Sequence, residues 1–282
     1  MKGAFPMHRH RLAVRLLRPA GLGRAEHVTR AFYDLVPSLV CHLRSADGHG
    51  EWHFGRPAPP DPATLDLWFR SRPAVIAELA DRLRRRCAEL GWPLESRDAP
   101  LLPAEAPLPT ALSVLSSDLA LDLLATGPHE DDRFGVAALH LRLLIELVPP
   151  AARPAFLFQC WQQWSRELPP ATRVALGEEA EAAAVTVLDS TAEAALDHPY
   201  RGLWARYLRD LHAVWQAHGT GGEPPRPYEL FEHARLTHDR LGVPAETAAT
   251  AAKALRSALG AGSATPGLSA LLAAAETGAA AA

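Results

Sequence analysis

Apolar positions recur along the chain in two periods, and the change between them divides it. In "RLAVRLL" (11–17) their spacing is compatible with a β-strand, which Pro19, Gly21 and Gly23 end. Over residues 25–44 the period becomes helical, with Val28, Phe32, Leu35, Val36, Leu39, Val40 and Leu43 as the apolar positions. A turn, "DGHG" (47–50), leads into "EWHFGR" (51–56), which alternates like a strand. "PAPPDP" then breaks the chain; a helical pattern runs from there to about Leu90, with Gly91 as its C-cap. "WPLESRD" (92–98) predicts a third strand, so residues 1–100 predict a β-α-β-α-β unit.

From Pro109 onward the pattern is almost wholly helical. The predicted helices are 110–126, 131–148, 152–168, 171–196, 200–218, 227–241 and 245–259. Pro- and Gly-rich punctuation such as "VPPAARP" and "GTGGEPPRP" separates them. The alanine-rich segment 260–282 offers little to pack and is expected to be partly disordered. The expected class is α+β and mostly helical, with a unit at 1–100 packed on a larger helical region at 101–259.

Composition narrows the function. A chain of 282 residues, 48% hydrophobic, can bury one large core or two small ones. A net charge of −3 with a pI near 6.5 gives no general polyanion binder, and no nucleic-acid partner is expected. Lys2 and Lys253 are the only lysines, so the positive charge is nearly all arginine, suited to bidentate carboxylate pairing. Cys41, Cys87 and Cys160 are odd in number and far apart, as buried thiols of a reducing cytoplasm would be. No apolar core of signal-peptide length precedes Arg15, and no run reaches the ~20 apolar residues of a membrane span. A soluble cytoplasmic protein is expected.

Among local motifs, His49 and His53 share one side of a predicted strand, but no third ligand lies nearby, so no metal is expected. There is no phosphate loop, dinucleotide fingerprint, nucleophile elbow or paired-cysteine motif, and hence no expected cofactor. "DRLRRRC" (81–87) reads first as a solvated basic face, and Trp161 with Trp164 as core. "HARLTHDRLGVPAE" (233–246) is chemically richer. Histidine exchanges protons near neutral pH and arginine holds carbonyls or carboxylates, yet a polar helix face accounts for the same residues.

The order of segments resembles the stand-alone thiopeptide-type bacteriocin biosynthesis proteins, relatives of the glutamate-eliminating domain of lantibiotic dehydratases. "LTHDRLGVPAE" (236–246) is similar to their "H-x-x-H-N-R-L-G-[IV]" helix: His238, Arg240, Leu241 and Gly242 match, and Asp239 replaces Asn. "WHFGR" (52–56) looks like the "W-x-F-x-R-Y" strand, and Glu105 in "LLPAEAPLPT" matches the Glu of "Y-x-x-E-x-x-R-Y-G-G", whose R-Y-G-G is missing. "HLRLLIELVPPAARPAFLFQCWQQW" (140–164) is similar to the middle helices, so the resemblance spans about 10–258.

The departures choose a branch. Eliminating members carry an "H-[LI]-R-L-R" strand whose arginines hold a glutamyl ester, where this chain has "PAPPDPATLDLW" and no arginine before Arg70. They also keep a histidine where Arg235 stands here. The resemblance therefore implies a thiopeptide pyridine synthase, an enzyme that closes a formal aza-[4+2] ring between two dehydroalanines. Its substrate is an azole- and dehydroalanine-containing precursor peptide with a leader; water and leader are lost, and no redox cofactor is used. The implied proton-handling residues are Tyr228, His233, His238, Glu105 and Arg235. The implied leader-docking residues are Arg56, Arg82, Arg84, Arg85 and Arg86, with transient contacts to other maturation enzymes. The alternatives are a glutamate-eliminating lyase and a non-catalytic leader-binding scaffold.

Overall fold

The computed structural model describes residues 9–19, 21, 23, 30–56, 64–96, 107–125, 132–197, 200–218, 226–261 and 267–272. They fall into two compact units, residues 1–106 with 116–127 and residues 107–115 with 128–282. The helix Pro107–Ala125, here α3, divides between them.

In the first unit, β1 (His10–Leu17), α1 (Val36–Ala46), β2 (Glu51–Gly55), β3 (Thr64–Ser71), α2 (Pro73–Leu90) and β4 (Leu94–Ser96) follow in sequence. The sheet order is β2-β3-β1-β4, with every neighbouring pair antiparallel. A β-α-β-β-α-β chain in this order is the split-βαβ, ferredoxin-like arrangement. Its core joins Leu16, Trp52, Phe54, Leu65, Leu67 and Phe69 of the sheet with Leu39 and Leu43 of α1 and Leu79 and Leu83 of α2. Phe32 meets Phe54 edge-on at 4.5 Å between ring centroids. The second part of α3 also anchors here: Trp52 Nε1 donates to Asp118 Oδ1 at 2.7 Å, and the Phe54 amide donates to Ser117 Oγ at 3.2 Å.

The strand β3 corrects the expected β-α-β-α-β order. The helical pattern read up to Leu90 begins only at Pro73, which is pre-set for a first helical turn after the extended Arg72. Leu65, Leu67 and Phe69 alternate inward, but Trp68 between them blurs the period. Trp68 stacks on the directly opposite His53, with ring centroids 4.9 Å apart. On the other side of β3, Arg15 of β1 donates Nε and Nη2 to the two carboxylate oxygens of Asp66 at 2.6 and 2.9 Å. A strand therefore occupies residues 64–71, and the one arginine on it is Arg70.

In the second unit, helices α4 (Arg133–Ile145), α5 (Arg153–Ser165), α6 (Pro170–Ala183), α7 (Val187–Leu196), α8 (Arg201–His218), α9 (Pro227–Leu241) and α10 (Ala245–Gly260) surround one core. Every residue from Ala137 to Ile145 of α4 is buried, and the helix packs on α7, α9 and α10. Small residues make the close approach of α10 possible, with Ala248, Ala249, Ala251, Ala252 and Ala254 all buried. The single helix predicted over 171–196 splits at 184–186, where Val185, Thr186 and Val187 form a β-branched run and Val185 is exposed. Residues 267–272 are not a loose tail. Leu268 and Leu272 are buried, and the Glu146 carboxylate accepts from the Leu268 amide and the Ser269 hydroxyl, each at 3.1 Å. The whole is α+β and mostly helical, as the sequence predicts.

Candidate active site

The chemistry-bearing side chains of the helical unit converge inside it rather than on its surface. α9 starts with Pro227 after the extended Arg226 and ends at Gly242, whose φ of +70° lets its amide and that of Val243 cap the last carbonyls. Between these ends, Leu230, Phe231, His233, Ala234, Thr237 and His238 form the buried face. α4 begins under an Asp132 N-cap, whose Oδ1 accepts from the Gly135 amide at 2.9 Å, and carries His140 into the core. α8 adds Tyr207 from the face that also buries Trp204, Leu208 and Leu211.

These residues make one continuous chain of contacts. His140 Nδ1 lies 3.2 Å from His238 Nε2, and His140 Nε2 lies 2.8 Å from the Tyr207 hydroxyl. That hydroxyl lies 2.7 Å from His233 Nε2. His140 is fully buried, and Tyr207, His233 and His238 are 3%, 2% and 2% exposed. Trp164 of α5 covers His238 at 5.3 Å between ring centroids and packs on Phe231. His238 Nδ1 is buried with no hydrogen-bond partner among the described residues.

Desolvation fixes the charge state. Burial holds His140 well below the ordinary imidazole range, and the neighbouring histidines add to the effect. Burial, with the Arg240 and His238 charges behind it, lowers His233 to about 3, and burial alone lowers His238 to about 3. Tyr207 is pushed well above its usual value, also by burial. All four groups are therefore neutral at pH 7, hydrogen-bonded, and able to pass protons without carrying charge. Arg240 is buried on the same helix, and burial brings it down to about 10.

The sequence-predicted residues divide sharply. His233 and His238 are brought together, but buried in the interior and not on a solvated helix face. Arg235 does not join them: it is partly exposed and pairs with Glu232 and Asp239 at 3.0 and 3.1 Å. An i,i+3 and an i,i+4 carboxylate capture it there. Tyr228 is 66% exposed in the first turn, remote from the chain of contacts along the helix. Glu105 lies outside the described residues. Arg82, Arg84, Arg85 and Arg86 are exposed on α2, Arg84 pairing with Asp81 and Arg86 with Glu89; Arg56 is partly buried after β2.

His140 and Tyr207 were not foreseen. Their signal was present as a histidine within the apolar run "AALHLRLLI" and a tyrosine on the buried stripe of "LWARYLRDL". Neither can be matched to a partner far off in sequence from spacing alone. An open groove of about 540 Å³ lies elsewhere in the unit, lined by Trp161, Arg173, Val174, Glu181 and Lys253 among others, and none of the histidines reaches it. Among the described residues, no group of His, Cys, Asp and Glu is placed to hold a metal ion. No helix among them is long and apolar enough to cross a membrane.

No protein-family model matches the chain, and no curated protein matches it by sequence. Solved structures do. The chain has the fold of a thiopeptide pyridine synthase. It is similar to the structure described as "Pyridine synthase, TbtD, from thiomuracin biosynthesis", over 89% of this chain and 98% of that one, with a TM-score of 0.59 and 12% identity. It is likewise similar to TsrL, over 94% of this chain and 98% of that one, with a TM-score of 0.57 and 14% identity. The likeness is one of fold, and it agrees with the order of segments seen in the sequence.

Proposed function

We propose that the protein is a thiopeptide pyridine synthase. It acts on a precursor peptide that carries azoles, a leader and two dehydroalanines. The amide preceding one dehydroalanine becomes its iminol, which completes a 2-azadiene. The second dehydroalanine adds to it in a formal aza-[4+2] closure, and loss of water and of the leader as an amide leaves the pyridine and the macrocycle. The sequence of steps is redox-neutral. Holding both alkenes in a near-attack geometry contributes on the order of 7–11 kcal/mol to such a closure. Each positioned proton transfer adds roughly 10²–10⁴-fold.

The observation that carries this reading is the fold likeness to a pyridine synthase over nearly the whole of both chains. Two features of this chain support it. The strand β3 presents Asp66 and Trp68 at alternate positions, and Arg70, the next on that face, is held by Glu51 at 3.1 Å. A buried, neutral acid–base chain is centred on His140. The leader is assigned to the sheet unit, where Arg56, Arg82, Arg84, Arg85 and Arg86 offer charge to an acidic segment.

Mass spectrometry on a bis-dehydroalanine precursor tests the reading. Ring closure with release of leader amide is expected. Loss of glutamate from a glutamylated precursor would establish a lyase instead, and binding without change would establish a scaffold.

A further inference from the structure

Counting protons along the buried chain gives a result that no single residue shows. Three neutral imidazoles and one neutral phenol carry four exchangeable protons in all, one on each ring or hydroxyl. The three contacts, His238–His140, His140–Tyr207 and Tyr207–His233, each need one of them. Tyr207 is buried and its hydroxyl proton has partners, among the described residues, only within the chain, so that proton must serve one of the three contacts. The fourth then sits at an end, on Nδ1 of His238 or on Nδ1 of His233, and only two arrangements satisfy both conditions.

In the first, His238 Nε2–H donates to His140 Nδ1 and His140 Nε2–H donates to the Tyr207 oxygen. Tyr207 O–H donates to His233 Nε2, and His233 keeps its proton on Nδ1. In the second, every donor is reversed, so that His238 carries its proton on Nδ1, His140 on Nδ1 and His233 on Nε2. His140 and His238 thus always hold the same tautomer, and His233 holds the opposite one.

We propose that His238, His140, Tyr207 and His233 form one proton relay, in which a proton taken up at Nδ1 of His238 is released at Nδ1 of His233. The step balances. Four bonds to hydrogen form, at His238 Nδ1, His140 Nδ1, the Tyr207 oxygen and His233 Nε2. Four break, at His238 Nε2, His140 Nε2, the Tyr207 oxygen and His233 Nδ1. One proton enters, one leaves, and no charge stays in the core.

That last property is what the surroundings demand. A lone buried histidine acting as a base would have to keep an imidazolium among Trp164, Phe231 and the apolar face of α4, which desolvation strongly disfavours. The relay gives an acid and a base without that cost. The buried Nδ1 of His238, with no partner among the described residues, is the open end where such a chain would receive its proton. The relay suits a reaction that removes a proton from an amide nitrogen and delivers one to an oxygen. His140 and Tyr207 are then positioning residues that act through the two histidines of α9. The catalytic part of this inference rests on the function proposed above, whereas the tautomer coupling does not.

The test is made first on the unaltered protein. With ¹⁵N-labelled histidine at neutral pH, two-bond ¹H–¹⁵N correlation reports the Nε2–H fraction of each ring, assigned through single His→Asn substitutions. Equal fractions are expected at His140 and His238, and the complementary fraction at His233. Unequal values at His140 and His238, or an imidazolium at any of the three, would overturn the relay.

Tyr207→Phe then removes the central oxygen. The complement between His233 and the other two rings should vanish, and cyclisation should slow by at least about tenfold with leader affinity unchanged. Retained coupling or an unchanged rate would count against the relay. Should that variant not fold, 3-fluorotyrosine at 207 keeps shape and hydroxyl, and is expected to shift the His140 and His233 fractions in opposite senses; a shift at one ring only refutes the coupling. A wild-type protein that shows coupled tautomers but closes no ring would remove the proposed reaction and leave the relay standing.

Discussion

Acid should undo the helical unit over a defined range, because its core holds three histidines that stay neutral while buried. The folded values lie below the unfolded one, near 3 for His233 and His238 and well below 6.5 for His140. The stabilising contribution is therefore complete above about pH 6.5 and is lost as pH falls toward the folded values. At pH 5 an unfolded imidazole binds a proton that its folded counterpart refuses, worth about 2 kcal/mol for each of His233 and His238, or about 4 kcal/mol for the two, and His140 acts in the same sense. That is a large share of the roughly 5–15 kcal/mol that holds a domain folded. Asp118 acts in the opposite sense, since burial raises it, but it is one carboxyl in the other unit. Urea denaturation followed by tryptophan fluorescence at pH 7.5, 6 and 5 measures the effect. The slope between pH 6 and 5 should be at least about 2 kcal/mol per unit from His233 and His238, and His140→Gln should make it shallower than in the unaltered protein. A change below about 1 kcal/mol between pH 7.5 and 5 would mean that these rings are charged or hydrated, and the neutral chain would be refuted.

Other expectations follow from single contacts. Arg142 is buried and donates to the Leu188 carbonyl and to Thr191 Oγ1 at 2.7 Å, so Arg142→Met should cost about 2–3 kcal/mol in chemical denaturation. Glu146→Ala should raise hydrogen exchange at residues 268–272 selectively, since that carboxylate holds the Leu268 amide. A thiol reagent should label Cys41 alone in the native state, because Cys87 and Cys160 are buried and burial raises both thiols, Cys87 to about 11. Leader affinity should fall as salt rises to half molar if the α2 arginines dock an acidic segment; salt-independent binding would point to strand addition or apolar anchors instead.

Much of the fold was legible because its periods are local. The helical stripes of α1, α5, α8, α9 and α10 and the alternation of β1 and β2 can be read from neighbouring residues. β3 was not, since Trp68 interrupts the alternation and Asp66 looks too polar for an interior strand until Arg15 appears opposite it. The site was half legible. A motif on α9 marked His238, and the polar stretch around it brought in His233, but their partners sit 98 and 26 residues away in sequence, on helices whose relative placement no spacing reveals. Arg235 was drawn in by its place in the family motif and Tyr228 by its place at the helix start, although Glu232 and Asp239 hold Arg235 and Tyr228 is exposed in the first turn.

The pairing of Arg15 with Asp66 also constrains what this chain can become. Asp66 is 6% exposed under a bidentate guanidinium that lies directly across the ladder. Asp66→Arg alone would set two guanidinium groups face to face in a partly buried register and remove the carboxylate that Arg15 grips with two nitrogens. A path that brings a positive charge to this point of β3 would thus have to alter β1 first, or both strands at once. The order of substitutions is constrained, and the two positions should show strong epistasis: each deleterious singly, tolerable together. The acquisition of an arginine at this point of the sheet is in this scaffold a two-site event, which single substitutions do not reach.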